Sequence, residues 1–303
     1  MKRTGCSILL GLMWSFTAVA LAYAADPAPS PAFDGKAAFA ALEAQCAFGP
    51  RVPGTPAHRK CAEYFVKQLK STADRVDEQK FLADVGGRTI EMNNIIAVFS
   101  PPTGSDSWAL ICAHWDSRPT ADREELPARR AQAIAGANDG ASGAAVILEL
   151  ARALSVQRAP RGVILVLLDG EDYGPDVAHM FYGSRYFAQA YRGTKPTWGV
   201  LLDMIGDRDL RIPIEGNSQL LAPEVVSRIY GVAERLKVSA FVREPGSYVT
   251  DDHLQLNGAG IPCIDLIDFQ YPYWHTLADT PDKCSAESLQ AVGDVLLTAL
   301  REP

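Results

Sequence analysis

The sequence predicts an α/β fold built on a mostly parallel sheet with helices on both faces. Three observations predict it. Short apolar runs rich in β-formers alternate with longer segments whose apolar residues recur at helical spacing. Two of the runs, Val163–Leu168 and Ile261–Ile267, are apolar almost throughout, as strands buried on both faces are. The composition is that of an ordinary globular chain, with 48% hydrophobic and 21% charged residues in 303.

The elements follow in order. Lys2 and Arg3 precede an apolar, charge-free run, Ile8 to Ala22, which ends in Ala22-Tyr23-Ala24. This is the layout of a secretory signal peptide, residues 1–24, cleaved after Ala24; the run is short for an anchor helix. No lipoprotein box precedes Cys6. Asp26–Pro31 reads as stiff and extended, part of a linker over 25–35. One domain fills 36–303. Helices are expected at Lys36–Ala47, His58–Ser71, Ala144–Leu154, Ser184–Tyr191, Pro223–Leu236 and Ser285–Leu300. Strands are expected at Asn94–Phe99, Trp108–Ala113, Val163–Leu168, Trp198–Ile205 and Ile261–Ile267. With a net charge of −7 and no Lys/Arg block, the chain lacks the footprint of a nucleic-acid binder. Export implies a periplasmic or secreted protein, with no stable membrane insertion once the leader is removed.

Past the leader there are five cysteines, Cys46, Cys61, Cys112, Cys263 and Cys284. An exported chain meets oxidising conditions, so a disulfide is expected, and Cys46–Cys61 is the assigned pair. Cys112, in an apolar strand, reads as a buried thiol. None shows CxxC spacing, which argues against a thiolate zinc site.

Ligands of parallel α/β sheets bind at the carboxyl ends of the strands. There the sequence places His114-Trp115-Asp116, Glu171-Asp172, Asp203 and Trp274-His275, with the glycine-rich turn Asn138-Asp139-Gly140 between the first two. Each has an ordinary explanation singly. Asp139 could cap a helix, His114 could be a half-buried histidine, Asp203 a turn residue and Trp274 core. Their joint placement points to a metal. His114, Asp139, Asp172, Asp203 and His275 form a His/carboxylate set suited to Zn²⁺, and Glu171 stays free as general acid/base. Asp116 is placed to accept the second ring N–H of His114. His58 reads as a surface residue, and His179 is given no role. Asp122–Arg130 is a charged insertion, either a solvated loop or a shaper of substrate entry.

Six ordered motifs, from His114-Trp115-Asp116-Ser117 through Asn138–Gly143, Gly170-Glu171-Asp172, Tyr182-Gly183-Ser184 and Leu202–Gly206 to Trp274-His275-Thr276, resemble the M28 zinc peptidase superfamily. The resemblance spans Asn93 to Leu300. It implies a three-layer α/β/α sandwich with a central mixed sheet, acting on peptide or protein N-termini. That superfamily holds two chemistries: two-zinc aminopeptidases, and one-zinc glutaminyl-peptide cyclotransferases that make pyroglutamate and release ammonia. Leu201–Gly206, Asp251-Asp252-His253 and Tyr273–Thr276 lean to the second branch. The resemblance then implies that Asp139, Asp172 and His275 hold one zinc, that Glu171 shuttles the proton with Asp203 and Asp251 as acidic partners, and that Trp274 lines the pocket. The alternative, a peptidase, adds a second zinc on His114 and Asp203 with Asp139 bridging. Asp172 and Asp265 depart from the animal cyclotransferases, which have Glu and His there, and Cys112 is one position off their half-cystine.

Overall fold

A computed structural model describes residues 32–102 and 105–302. The expected leader, 1–24, and most of the expected linker lie outside the described residues. Two helices open the chain, α1 (Gly35–Cys46) and α2 (Pro56–Lys70). Asp34 accepts the amides of Lys36 and Ala37, and Thr55 accepts that of His58, so each helix starts on a side-chain cap. There follow β1 (Arg75–Val85), β2 (Arg88–Phe99), β3 (Trp108–His114), α3 (Ala141–Val156), β4 (Gly162–Leu168), α4 (Tyr182–Ala190), β5 (Trp198–Asp203) and β6 (Ile212–Ile214). The remainder is α5 (Gly216–Leu221), α6 (Pro223–Leu236), β7 (Phe241–Pro245), α7 (Asp252–Gly258), β8 (Cys263–Ile267) and α8 (Ala286–Arg301).

The main sheet runs β1-β2-β4-β3-β5-β8. β4, β3, β5 and β8 are mutually parallel, while β1 and β2 join antiparallel. Strand β4 shows why both faces are covered. Val163, Leu165 and Leu167 enter one core, with residues of α1, α3, α6 and α8; Ile164, Val166 and Leu168 enter the other, with Phe187 of α4 and Leu256 of α7. The three-layer architecture expected from the alternation is present. Because β3, β4, β5 and β8 point the same way, the loops after them open on one rim, where the expected chemistry sits.

Several expectations needed correction. β1 was not foreseen: its Arg-Val-Asp-Glu-Gln-Lys start reads as a solvated segment, and it is the sheet's edge, where charge is tolerated. The strand expected over Trp198–Ile205 ends at Asp203, since Met204 turns to φ +47°. The Cys46–Cys61 bridge is absent, and all five described cysteines are free thiols. Cys61 faces the core from α2 while Cys46 ends α1 half-buried, and burial pushes the Cys61 thiol up to about 12. His58 is no surface residue. It is 3% exposed, its Nε2 lies 2.9 Å from both oxygens of Asp169, and its ring stacks on Trp115 at 4.3 Å. No described helix is long and apolar enough to cross a membrane.

Candidate metal centre

His114 is the last residue of β3, and its Nε2 lies 3.2 Å from Asp139 Oδ1 and 3.2 Å from Asp203 Oδ1. Asp203 ends β5. Asp139 sits in the turn before α3, so its second oxygen faces the opposite way, 3.7 Å from His275 Nε2. His275 Nε2 is also 3.4 Å from Asp172 Oδ1, in the loop after β4. Two triads result, His114–Asp139–Asp203 and Asp139–Asp172–His275, each with its donor atoms within 4.8 Å of one another. All five expected donors converge, and Asp139 belongs to both sets.

Asp139 does not cap α3. The cap position is Gly140, at φ +96°, and no side chain caps this helix. A Cβ on Gly140 would stand 2.5 Å from the Asp116 carbonyl and 3.0 Å from the His114 ring, so only glycine lets this turn close on the histidine. The Asp139 turn is pinned from outside by Asp279, whose carboxylate accepts the amides of Asn138 (2.8 Å) and Asp139 (3.2 Å). Asp116 does similar work. It accepts the amides of Glu171 (3.1 Å) and Asp172 (3.2 Å) and lies 3.6 Å from His114 Nδ1, beyond hydrogen-bond reach. Its expected role on the His114 ring is thus secondary to holding the Glu171–Asp172 peptide.

The residues fit a small divalent cation. A zinc ion bound at 2.0–2.2 Å in tetrahedral geometry sets its ligand atoms about 3.3–3.6 Å apart. The observed separations of 3.2–3.7 Å bracket that range. Asp139 Oδ2 and Asp172 Oδ2 are buried with no hydrogen-bond partner, a state shared among the buried acids by Asp252 Oδ2 and both oxygens of Asp265, and it is costly for carboxylates unless a cation or a proton compensates. The field asks for positive charge as well. Burial works against a charged His275 ring, yet Asp122, Asp172 and Asp139 prevail and push it up to about 9.

Glu171 belongs to neither triad. It is 7% exposed, and its Oε2 is 3.7 Å from His114 Nδ1. Burial first, then Asp172, Asp251 and Asp252, hold its carboxyl well above the usual value against the pull of His114. Asp203 is raised by burial and by Asp139 and Asp172. Asp251 caps α7, accepting the Asp252 amide, and burial with the neighbouring Asp203 charge pushes it up to about 7. Trp274 is half-buried, 4.1 Å from the His275 ring and 5.0 Å from Phe269, which with Val249 and Ile267 lines a cavity of about 290 Å³. Neither that cavity nor the larger depression of about 780 Å³ between α2 and the β1–β2 hairpin is lined by any of the five donors or by Trp274. His179 pairs with Asp176 on the surface, and His253 is buried 3.3 Å from Glu215.

Asp279 is likewise pushed up to about 7, by burial and then by Asp139. These acids bear on stability. A carboxyl whose folded value exceeds its unfolded one near 4 keeps a proton that the unfolded chain releases, so its contribution is complete below that value and fades as pH rises through the folded one. With metal chelated, the melting temperature should fall between about pH 4 and pH 7. A divalent cation should shrink that fall; a flat or rising profile without metal would contradict the arrangement.

Sequence reasoning missed Arg118, Asp122 and Asp279 as supports of the site. Asp279, four residues after His275, had no signal; Arg118, directly after the His114–Ser117 motif, offered one.

The profile of peptidase family M28 matches residues 94–300. A glutaminyl-peptide cyclotransferase of Drosophila melanogaster is 27% identical over 264 residues, covering 76% of this chain and 70% of that one. A glutaminyl cyclase of Tannerella forsythia superposes with TM-score 0.85 at 33% identity, over 90% of this chain and 100% of that one. A leucine aminopeptidase precursor from Bacteroides thetaiotaomicron does so with TM-score 0.86 at 33% identity, over 90% and 99%. On this match and this convergence of donors, the chain belongs to peptidase family M28, in the branch of the glutaminyl-peptide cyclotransferases.

Proposed function

We propose that this protein is a zinc-dependent glutaminyl-peptide cyclotransferase, converting an N-terminal glutamine to pyroglutamate with release of ammonia. The observation that carries the reading is a buried, raised carboxyl, Glu171, standing beside a complete donor triad without belonging to it. Likeness to glutaminyl cyclases from animals and bacteria supports the choice of reaction.

Asp139, Asp172 and His275 would hold the zinc, which when bound supplies a Lewis acid for the γ-carboxamide oxygen. Glu171 accepts a proton from the α-amine as its nitrogen closes on the γ-carboxamide carbon. It returns that proton to the departing NH₂ as the carbon–nitrogen bond breaks, so ring and ammonia leave in balance. Its raised value suits both halves of this exchange. Asp203 and Asp251 keep negative charge and shared protons near it. Trp274, against Phe269, walls the side-chain slot and limits water. Attack is intramolecular, so much of the gain lies in holding the chain ready to close. The leader-like first 24 residues support action after export.

A second reading is favoured by one observation: His114, Asp139 and Asp203 form a second complete triad. In that reading the protein is a two-metal aminopeptidase. Incubating purified protein with a Gln-initiated peptide separates the two. Loss of ammonia mass with an intact chain, and one zinc per protein, is expected. Release of free N-terminal residues with two zinc ions would overturn the cyclotransferase.

A further inference from the structure

The charged segment after β3 folds back on the site. Arg118 is 4% exposed, and its guanidinium bridges two acids: Nη1 donates to Asp172 Oδ1 and Nε donates to Asp122 Oδ1 at 2.6 Å. The same Asp122 oxygen lies 3.1 Å from His275 Nδ1, close but out of line for a hydrogen bond. His275 therefore presents its two nitrogens to different partners, Nε2 to Asp139 and Asp172, and Nδ1 to Asp122. The segment is latched to the His275 loop by its backbone as well. The Arg123 amide donates to the His275 carbonyl (3.2 Å), the Leu277 amide donates to Glu124 (3.0 Å), and the Arg123 guanidinium lies 4.5 Å over Trp274. On the other side, Gly174, at φ +63°, lies so close that a Cβ there would stand 2.9–3.0 Å from the Arg118 guanidinium.

We propose that Arg118 and Asp122 are positioning residues that set the geometry and affinity of the Asp139–Asp172–His275 metal seat. Asp122, its carboxylate 3.1 Å from Nδ1 though not in line for a hydrogen bond, favours the His275 tautomer with its proton on that nitrogen and leaves the Nε2 lone pair for a cation, the role carboxylates play behind ligating histidines. Arg118 donates to Asp172 Oδ1, the oxygen 3.4 Å from His275 Nε2, and so fixes how the carboxylate faces the seat, while Oδ2 has no hydrogen-bond partner. It also anchors Asp122, whose side chain is otherwise partly in solvent. The segment is thus more than a solvated insertion.

The inference rests on the zinc reading of this seat, and its test separates the two. Zinc affinity is measured by chelator competition on the full chain, alongside melting temperature with and without zinc. Asp122→Ala should weaken zinc binding about 10–100-fold, and Asp122→Asn less. Arg118→Lys keeps the charge but loses the two-acid fork, and should cost about tenfold. Glu125→Ala, on the same exposed segment, should change nothing. If Asp122→Ala fails to fold, Asp122→Asn and Arg118→Lys carry the test. Wild-type affinity in these variants, or an equal loss in Glu125→Ala, overturns the inference. A merely structural role would lower the melting temperature in chelator and leave affinity intact, and that result also overturns it. Failure of the wild type itself to bind zinc would instead sink the reading of the metal seat.

Discussion

Glu171→Gln should lower turnover of a Gln-initiated peptide by roughly 10²–10⁴-fold while zinc content stays at the wild-type level. The substitution keeps the shape and removes the carboxylate that takes up and gives back the proton. Glu171 has the burial and the raised carboxyl that a shuttle needs, and neither triad depends on it. Its amide is held by Asp116, so the variant's backbone has no reason to move. Turnover near wild type would remove Glu171 from the reaction. Loss of zinc would make it a ligand. Steady-state rates by ammonia release, with metal analysis on the same preparation, read both.

Asp139→Asn carries the second large effect. Asp139 belongs to both triads, so weakening this one donor weakens either seat. Zinc affinity should fall by more than about 100-fold, beyond what a supporting residue costs, and activity should fall with it. His114→Ala and His275→Ala divide the result, since each enters only one triad. Under the cyclotransferase reading, His114→Ala still holds one zinc and His275→Ala holds none. The opposite pattern would move the working ion to the other seat.

Much of this was legible in the residues. Strand β4 announces itself as an uninterrupted apolar run, and the acids directly after it had to fall on the rim once the sheet was read as parallel. The same logic located His114, Asp203 and His275. What stayed hidden depended on partners distant in the chain. His58 at a helix start looks solvated until Asp169 and Trp115 enclose it. Asp122 lies in a run of charges that reads as surface, and only folding brings it to His275 Nδ1. Edge strand β1 carries charge where a central strand could not. The cysteine pairing failed for a related reason: counting thiols in an exported chain says nothing about which face of a helix each occupies.

The donors are drawn from the ends of β3 and β5 and from the loops after β3, β4 and β8, spread from residue 114 to residue 275. No early fragment of the chain can offer a complete set around Asp139 and His275, because the last strand of the sheet must dock before His275 arrives. Filling of that seat, under the zinc reading, would therefore come late in folding. A chain in which β8 fails to dock would lack the Asp139–Asp172–His275 seat, so occupancy of that seat would report that the far edge of the sheet is in place.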